Sequence, residues 1–248
     1  MTNKKFLLNI FIILILFTFT VEIDIEAVKE YFKGFLQKKT SNRTIMASIQ
    51  VLRTLTPFVY QGNLKHNKEN FPSHLSQIQR YRGYIEDQYN YEDLKYGHKT
   101  IAFSGCELIA AYNALFDLTG DENIDFPEMI HYFENDGILL YGHLGTAPQA
   151  VDLYFKRKGF ETKRSFKREE YSNIEKNYDA FILTKFNDID DITQCIHTVC
   201  ITKKNGKFHV HNNSYYGHNI QYDSIEDVLN RIDGGLAKDI VLLGIKKK

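Results

Sequence analysis

"FSGCELIAAYNALFDLTG", residues 103–120, is the stretch that decides the fold. Leu108, Ile109, Ala111, Ala114, Leu115, Phe116 and Leu118 nearly encircle a helix drawn over it. A helix that is apolar on every side is buried at the centre of a domain. Gly120 supplies a stop, because glycine takes the left-handed conformation that ends helices. Ser104 is the expected N-cap, which puts Cys106 in the first turn beside backbone N–H groups that lack helical partners. The positive end of the helix dipole favours a thiolate there, and the same amides can hold a developing oxyanion. The competing use of a free cysteine is as a small buried hydrophobe.

Outward from this helix the pattern stays helical before it becomes extended. "FPEMIHYFEND" is predicted as an amphipathic helix, and "TAPQAVDLYFKRKG" as another with Pro148 in its first turn. "YDAFILTKFN" reads as a continuously apolar strand. "CIHTVCITKKNGKFHVHNNSY" reads as a hairpin: a strand over 195–202, a turn at Lys204-Asn205-Gly206 and a returning strand over 207–211. Asn-Gly between strands is the strongest local hairpin signal. "SIEDVLNRI" is predicted as a short helix and "KDIVLLGIKKK" as a last strand. Helices first and antiparallel strands later indicate an α+β fold, a buried central helix packed on an antiparallel sheet.

The N-terminal part differs. Lys4 and Lys5 precede a run of apolar residues over 6–21, and Glu22 and Asp24 follow it. This pattern suits a cleaved signal peptide or an uncleaved membrane anchor, so the chain is expected to be secreted or held at a membrane facing outside the cytoplasm. Residues 22–84 read as a helical extension: helical candidates lie over 26–39 and 44–55, and "TPFVYQGNLKHNKENFPSH" reads as loop because of its prolines and polar residues. This extension serves as a spacer or as a pro-segment. Residues 85–248 form the expected domain.

The bulk composition narrows the function. The 248 residues carry 31 Lys+Arg against 31 Asp+Glu, a formal net charge of zero, which argues against bulk electrostatic binding of nucleic acid. Three cysteines, Cys106, Cys195 and Cys200, leave at least one unpaired and match no zinc spacing. Cys195 and Cys200 fall on opposite faces of one predicted strand, which opposes a bridge between them. No phosphate-binding GxGxxG motif occurs, and "GHLG" over 142–145 is read as a tight turn. His209 and His211 share a face of their strand, but no third ligand accompanies them, and they read as a polar outer face. Neither a cofactor nor a metal is expected.

A thiol nucleophile needs a base, and the base needs a third group to orient it. His197 lies within the predicted strand, on one face with Val199 and opposite Thr198. Asn212 and Asn213 leave the partner strand within reach of it. An asparagine side chain there would accept from the imidazole N–H and fix its tautomer; Asn212 is favoured over Asn213.

The order cysteine, histidine, asparagine resembles papain-like cysteine peptidases. "DQYNYEDLKYGHKTIAFSGCELIAAYNAL" resembles the opening of the C39-like group, with Gln88, Tyr96-Gly97, Thr100-Ile101 and Gly105-Cys106 at the corresponding places. The likeness covers roughly residues 85–244. It implies a papain-like domain in which Cys106 attacks a carbonyl of a peptide or protein substrate, His197 moves the proton, Asn212 orients His197, and Gln88 helps hold the oxyanion. The chain departs from the family where Gly-Cys-Gly-Pro-Thr is usual: here Glu107 follows Cys106. It departs again where Asp-Pro is frequent, since Asn212-Asn213 stand there. The same residues would also serve another acyl transfer, of transglutaminase or deamidase type, and a surface binding protein could keep the fold without turnover.

Overall fold

The computed structural model describes residues 60–187, 196–213, 220–235 and 237–248. The apolar run over 6–21, the helical candidates over 26–39 and 44–55, and Cys195 lie outside these residues. Among the described residues no helix is long and apolar enough to cross a membrane.

The chain enters through a helix, α1 (Gln61–Asn70), where a loop was expected. Its sequence has no apolar stripe, and side-chain amides hold it instead. Asn63 Nδ2 donates to Gly97 O (2.9 Å) and to Glu134 Oε1 (2.7 Å). Asn67 donates to Lys95 O (2.9 Å) and accepts from Lys95 N–H (2.7 Å). A 3-10 turn (Phe71–His74) with proline near its start leads into α2 (Leu75–Arg80). Residues 60–84 are thus bonded into the body of the domain, which extends beyond the expected start at Ile85.

A 3-10 turn (Gln88–Tyr91) precedes a small antiparallel hairpin, β1 (Lys95–Tyr96) and β2 (Lys99–Thr100). The Thr100 hydroxyl then caps α3 (Ile101–Ser104). Gly105 separates α3 from α4 (Cys106–Thr119). Ser104 therefore closes α3 and does not cap α4, and its hydroxyl is buried without a hydrogen-bond partner. The physical reason is the approach of Gly105 to α3: its N–H bonds Ile101 O (2.9 Å), and a Cβ on Gly105 would stand 2.7 Å from the Ile101 side chain. Leu108, Ile109, Ala110, Ala111 and Ala114 of α4 are wholly buried. The helix ends as expected at Gly120, with φ +66°.

Two further helices follow, α5 (Phe126–Asn135) and α6 (Pro148–Arg157), both with proline in the first turn. Asp125 caps α5 by accepting from Glu128 N–H at 3.0 Å. Then come β3 (Glu161–Ser165), α7 (Tyr171–Asn177), β4 (Ala180–Phe186), β5 (Ile196–Lys204), β6 (Lys207–His211), β7 (Gln221–Tyr222), α8 (Ile225–Arg231) and β8 (Lys238–Lys246). The β5–β6 turn sits at Asn205 and Gly206, both with positive φ, as the Asn-Gly signal requires. The strands form one six-stranded sheet in the order β3-β8-β4-β5-β6-β7, antiparallel throughout.

Strand alternation divides the core in two. Phe181, Leu183, Val199, Ile201, Phe208 and Val210 pack with Tyr171 and Ile174 of α7 and Ile225, Val228 and Leu229 of α8. The intervening residues of β4 and β5 face the other way, where α4 packs on both strands and is backed by α5 and α6. The fold is α+β, with the central helix on an antiparallel sheet. Its edges are the short β3 and β7.

Candidate active site

Gln88, His197 and Asn212 lie far apart in sequence and meet at one pocket, lined also by Tyr89, Asn187, Asn213 and Asp233. Two facing hydrogen bonds lock Gln88 to Asn212. Gln88 N–H donates to Asn212 Oδ1 (3.1 Å), and Asn212 Nδ2 donates to Gln88 Oε1 (3.2 Å). Gln88 Nε2 donates to Ala102 O at 2.9 Å, which ties the same side chain to α3. A second lock lies behind the first: the Glu86 carboxylate meets His211 Nδ1 (2.5 Å) and accepts from Asn212 N–H (2.9 Å). The His211 ring stacks on Tyr84, centroids 3.9 Å apart, and Nε2 meets the Thr202 hydroxyl (2.9 Å). His211 is therefore an interior anchor, where the sequence suggested a polar outer face; the acid that draws it inward lies 125 residues away.

Asn212 has φ +62°, a left-handed conformation that asparagine tolerates better than most residues. That turn aims its main-chain carbonyl at His197, and His197 Nε2 lies 2.8 Å from Asn212 O. The orienting oxygen is thus the carbonyl of Asn212 and not the expected side-chain amide, which is occupied with Gln88. A carbonyl only accepts, so Nε2 carries the proton. Burial, then the neighbouring Lys185 ammonium, push the His197 pKa down to about 4. The ring is consequently neutral at pH 7 with a lone pair on Nδ1, the state a base requires.

Lys185 stands opposite His197 in the β4–β5 register. It is fully buried, pairs with Asp233, and donates to Asn187 Oδ1 (2.7 Å). Burial lowers its pKa; Asp233 and the Cys106 sulfur oppose that shift. Sequence reasoning passed over Lys185 and Asp233. A lysine inside the run "AFILTKF" was the available signal, because a charge in an apolar strand must find a partner.

Cys106 opens α4 and is nearly buried, outside the wall of the pocket. Its thiol donates to Glu107 Oε2 at 2.9 Å. Among the described residues no hydrogen bond joins the sulfur to His197. Alternation accounts for this: Thr198 turns toward α4, where its hydroxyl bonds Glu107 and its N–H faces the sulfur, while His197 turns to the Lys185 side. Burial and the Glu107 carboxylate push the Cys106 pKa well above the ordinary thiol range, reversing the lowering expected from the helix N-terminus. The dipole is present, but desolvation and an adjacent acid outweigh it.

Glu107 is equally enclosed. It takes the Cys106 thiol, the Thr198 hydroxyl, the Thr146 N–H and its own N–H, yet burial pushes its pKa up to about 7. The "GHLG" turn forms the lid over it: Gly145 has φ +73°, and a Cβ there would lie 3.3 Å from Glu107 Oε2. Tyr96 completes the enclosure, with its hydroxyl 2.7 Å from that of Thr146. Cys200, the other free cysteine among the described residues, is buried on β5.

Neither the family models nor the curated proteins contain a match to this chain.

Proposed function

We propose that the chain is a thiol hydrolase of papain-like, C39-like type that cuts peptide bonds outside the cytoplasm, with Cys106 as the nucleophile. The observation that carries this reading is the convergence of Gln88, His197 and Asn212 on one pocket, at the strand whose next residue, Thr198, meets the opening turn of α4. Cys106 forms the thioester. The Gln88 amide and the Cys106 N–H hold the oxyanion. His197, neutral and fixed by Asn212 O, presents Nδ1 as the base on the pocket side. Amide-bearing side chains dominate the pocket, which suits a backbone or carboxamide substrate, so transglutaminase or deamidase chemistry on the same residues belongs to this reading.

The test is hydrolysis of fluorescein-labelled casein by the wild-type chain and by Cys106→Ala, alongside iodoacetamide labelling mapped by mass spectrometry. Cleavage that falls at least about 1,000-fold in Cys106→Ala supports the assignment. Equal cleavage by both forms ends it. A binding protein without turnover is the second reading, favoured by the thiol being held on Glu107. It wins if Cys106→Ala keeps the full biological effect.

A further inference from the structure

In a simple triad His197 serves both proton transfers, from the thiol and from the water that clears the acyl-enzyme. We propose that these transfers are divided, and that Glu107 is the catalytic base that takes the thiol proton of Cys106. The proposal rests on the hydrolase reading above and names a residue that reading leaves unused.

Geometry carries it. The thiol proton already points at Glu107 Oε2, 2.9 Å from the sulfur. On the α4 face of β5 the residue beside the sulfur is Thr198, and His197 faces Lys185. A base needs to be within hydrogen-bond reach of the proton it removes, and Glu107 meets that condition. Its carboxylate is held still by Thr146 N–H and the Thr198 hydroxyl, whose hydrogen bonds favour the charged form. The other ionisable groups that interact electrostatically with the pair are Tyr96 from β1 and Lys185 from β4, the latter through its charge and without contact. Tyr96 is buried and its pKa is raised, so it stays neutral. Lys185 contributes the positive charge that favours a sulfur anion when the proton leaves.

The step balances. As the S–C bond forms, the S–H bond breaks and the proton moves to Glu107 Oε2. As the C–N bond breaks, the same proton passes to the departing nitrogen, which is joined to the carbon that holds the sulfur. Water then adds to the thioester carbon and gives its proton to His197 Nδ1. When the C–S bond breaks, the new carboxylic acid gives its proton to the sulfur by way of Glu107 Oε2, the group in contact with it. His197 releases the water's proton to solvent, so the thiol and both bases are restored and the product leaves as a carboxylate.

The two candidate bases ionise in different ranges, at about 7 for Glu107 and about 4 for His197. The pH profile of kcat/KM on labelled casein therefore separates them. With Glu107 as the base, the acid limb of the wild type has its midpoint near 7, Glu107→Gln loses about 100-fold or more in kcat, and Glu107→Asp recovers part of the loss. Alkylation moves the opposite way: Glu107→Gln removes the charge that keeps the thiol protonated, so iodoacetamide labels Cys106 several-fold faster at pH 7.5. Thermal melts of both variants establish that each is folded; if Glu107→Gln is not, Glu107→Asp alone decides, by a moved acid limb. A limb near 4, or turnover by folded Glu107→Gln within about threefold of wild type, overturns the role while the hydrolase reading stands. Wild-type protein that cleaves nothing sinks the hydrolase reading and this role with it.

Discussion

Glu107 and Glu134 are the same residue at opposite ends of two helices. Glu107 lies in the first turn of α4, where the helix dipole favours a carboxylate. Glu134 lies in the last turn of α5, where the dipole opposes one. Both are buried, and burial is the first cause that pushes each pKa up to about 7. Moving a carboxyl from its ordinary 4.5 to about 7 corresponds to about 3 kcal/mol. A dipole contributes about 0.3–1 kcal/mol, so desolvation decides both cases. What differs is company. Glu107 faces a thiol and several hydrogen-bond donors. Glu134 accepts from Asn63 Nδ2 (2.7 Å) and Gly97 N–H (2.8 Å), and its second oxygen has no hydrogen-bond partner. One acid is set against a reactive atom; the other fastens α1 and the β1 hairpin to α5.

The largest effect tests the comparison against a third buried acid, Glu86, whose partner is a histidine. His211→Ala removes the contacts to Glu86 and Thr202 and the ring under Tyr84. The expected loss is about 3–5 kcal/mol in urea unfolding; a loss below about 1 kcal/mol would show that Glu86 is satisfied without the imidazole and would remove the contrast with Glu134. Next in size is the pH dependence. A carboxyl raised in the fold contributes stability that is complete below about 4.5 and is lost as pH rises through about 7. His197, lowered to about 4, acts with the opposite sign: its contribution is lost as pH falls from 6.5 through about 4. The diagnostic is therefore the difference between wild type and Glu134→Gln. Between pH 5 and 8 the variant should gain on the wild type by up to about 3 kcal/mol. Parallel curves would show that Glu134 is not raised. The smallest effect is Thr198→Val, which removes the single hydroxyl proton shared between Glu107 and Thr184 Oγ1, the latter at 3.1 Å. It should lower stability by about 1 kcal/mol and move the Glu107 titration upward, readable in the pH dependence of Cys106 alkylation.

The framework was legible where local chemistry determines it. The α4 helix with its Gly120 stop, the Asn205-Gly206 hairpin and the proline-opened α5 and α6 follow from periodicity and turn residues. Helix α1 was not legible, because Asn63 and Asn67 hold it through side-chain bonds to distant backbone and not through an apolar stripe. Strand β3 was missed for a related reason. Glu161, Thr162, Lys163 and Arg164 form an edge strand that pairs with β8 alone and presents no apolar run. At the site, residue types and order pointed to Cys106, His197 and Asn212, and the resemblance to the C39-like group added Gln88. The partners of each were hidden, since they depend on contacts such as Glu86 to His211 and on which face of β5 each side chain takes.

One irregularity in β8 sets what lies across from Lys185. The β4–β8 ladder runs Thr184 to Val241 and then Lys185 to Asp239, so Ile240 is an extra residue between two rungs. Such an insertion places Asp239, which accepts from the Tyr171 hydroxyl at 3.0 Å, on the lysine's side of the sheet. Deleting Ile240 would close the irregularity and keep Lys185 across from Asp239, whereas a ladder that ran regularly through Ile240 would put that apolar residue across from Lys185 and move Asp239 to Phe186, although no residue of the pocket wall would have been altered.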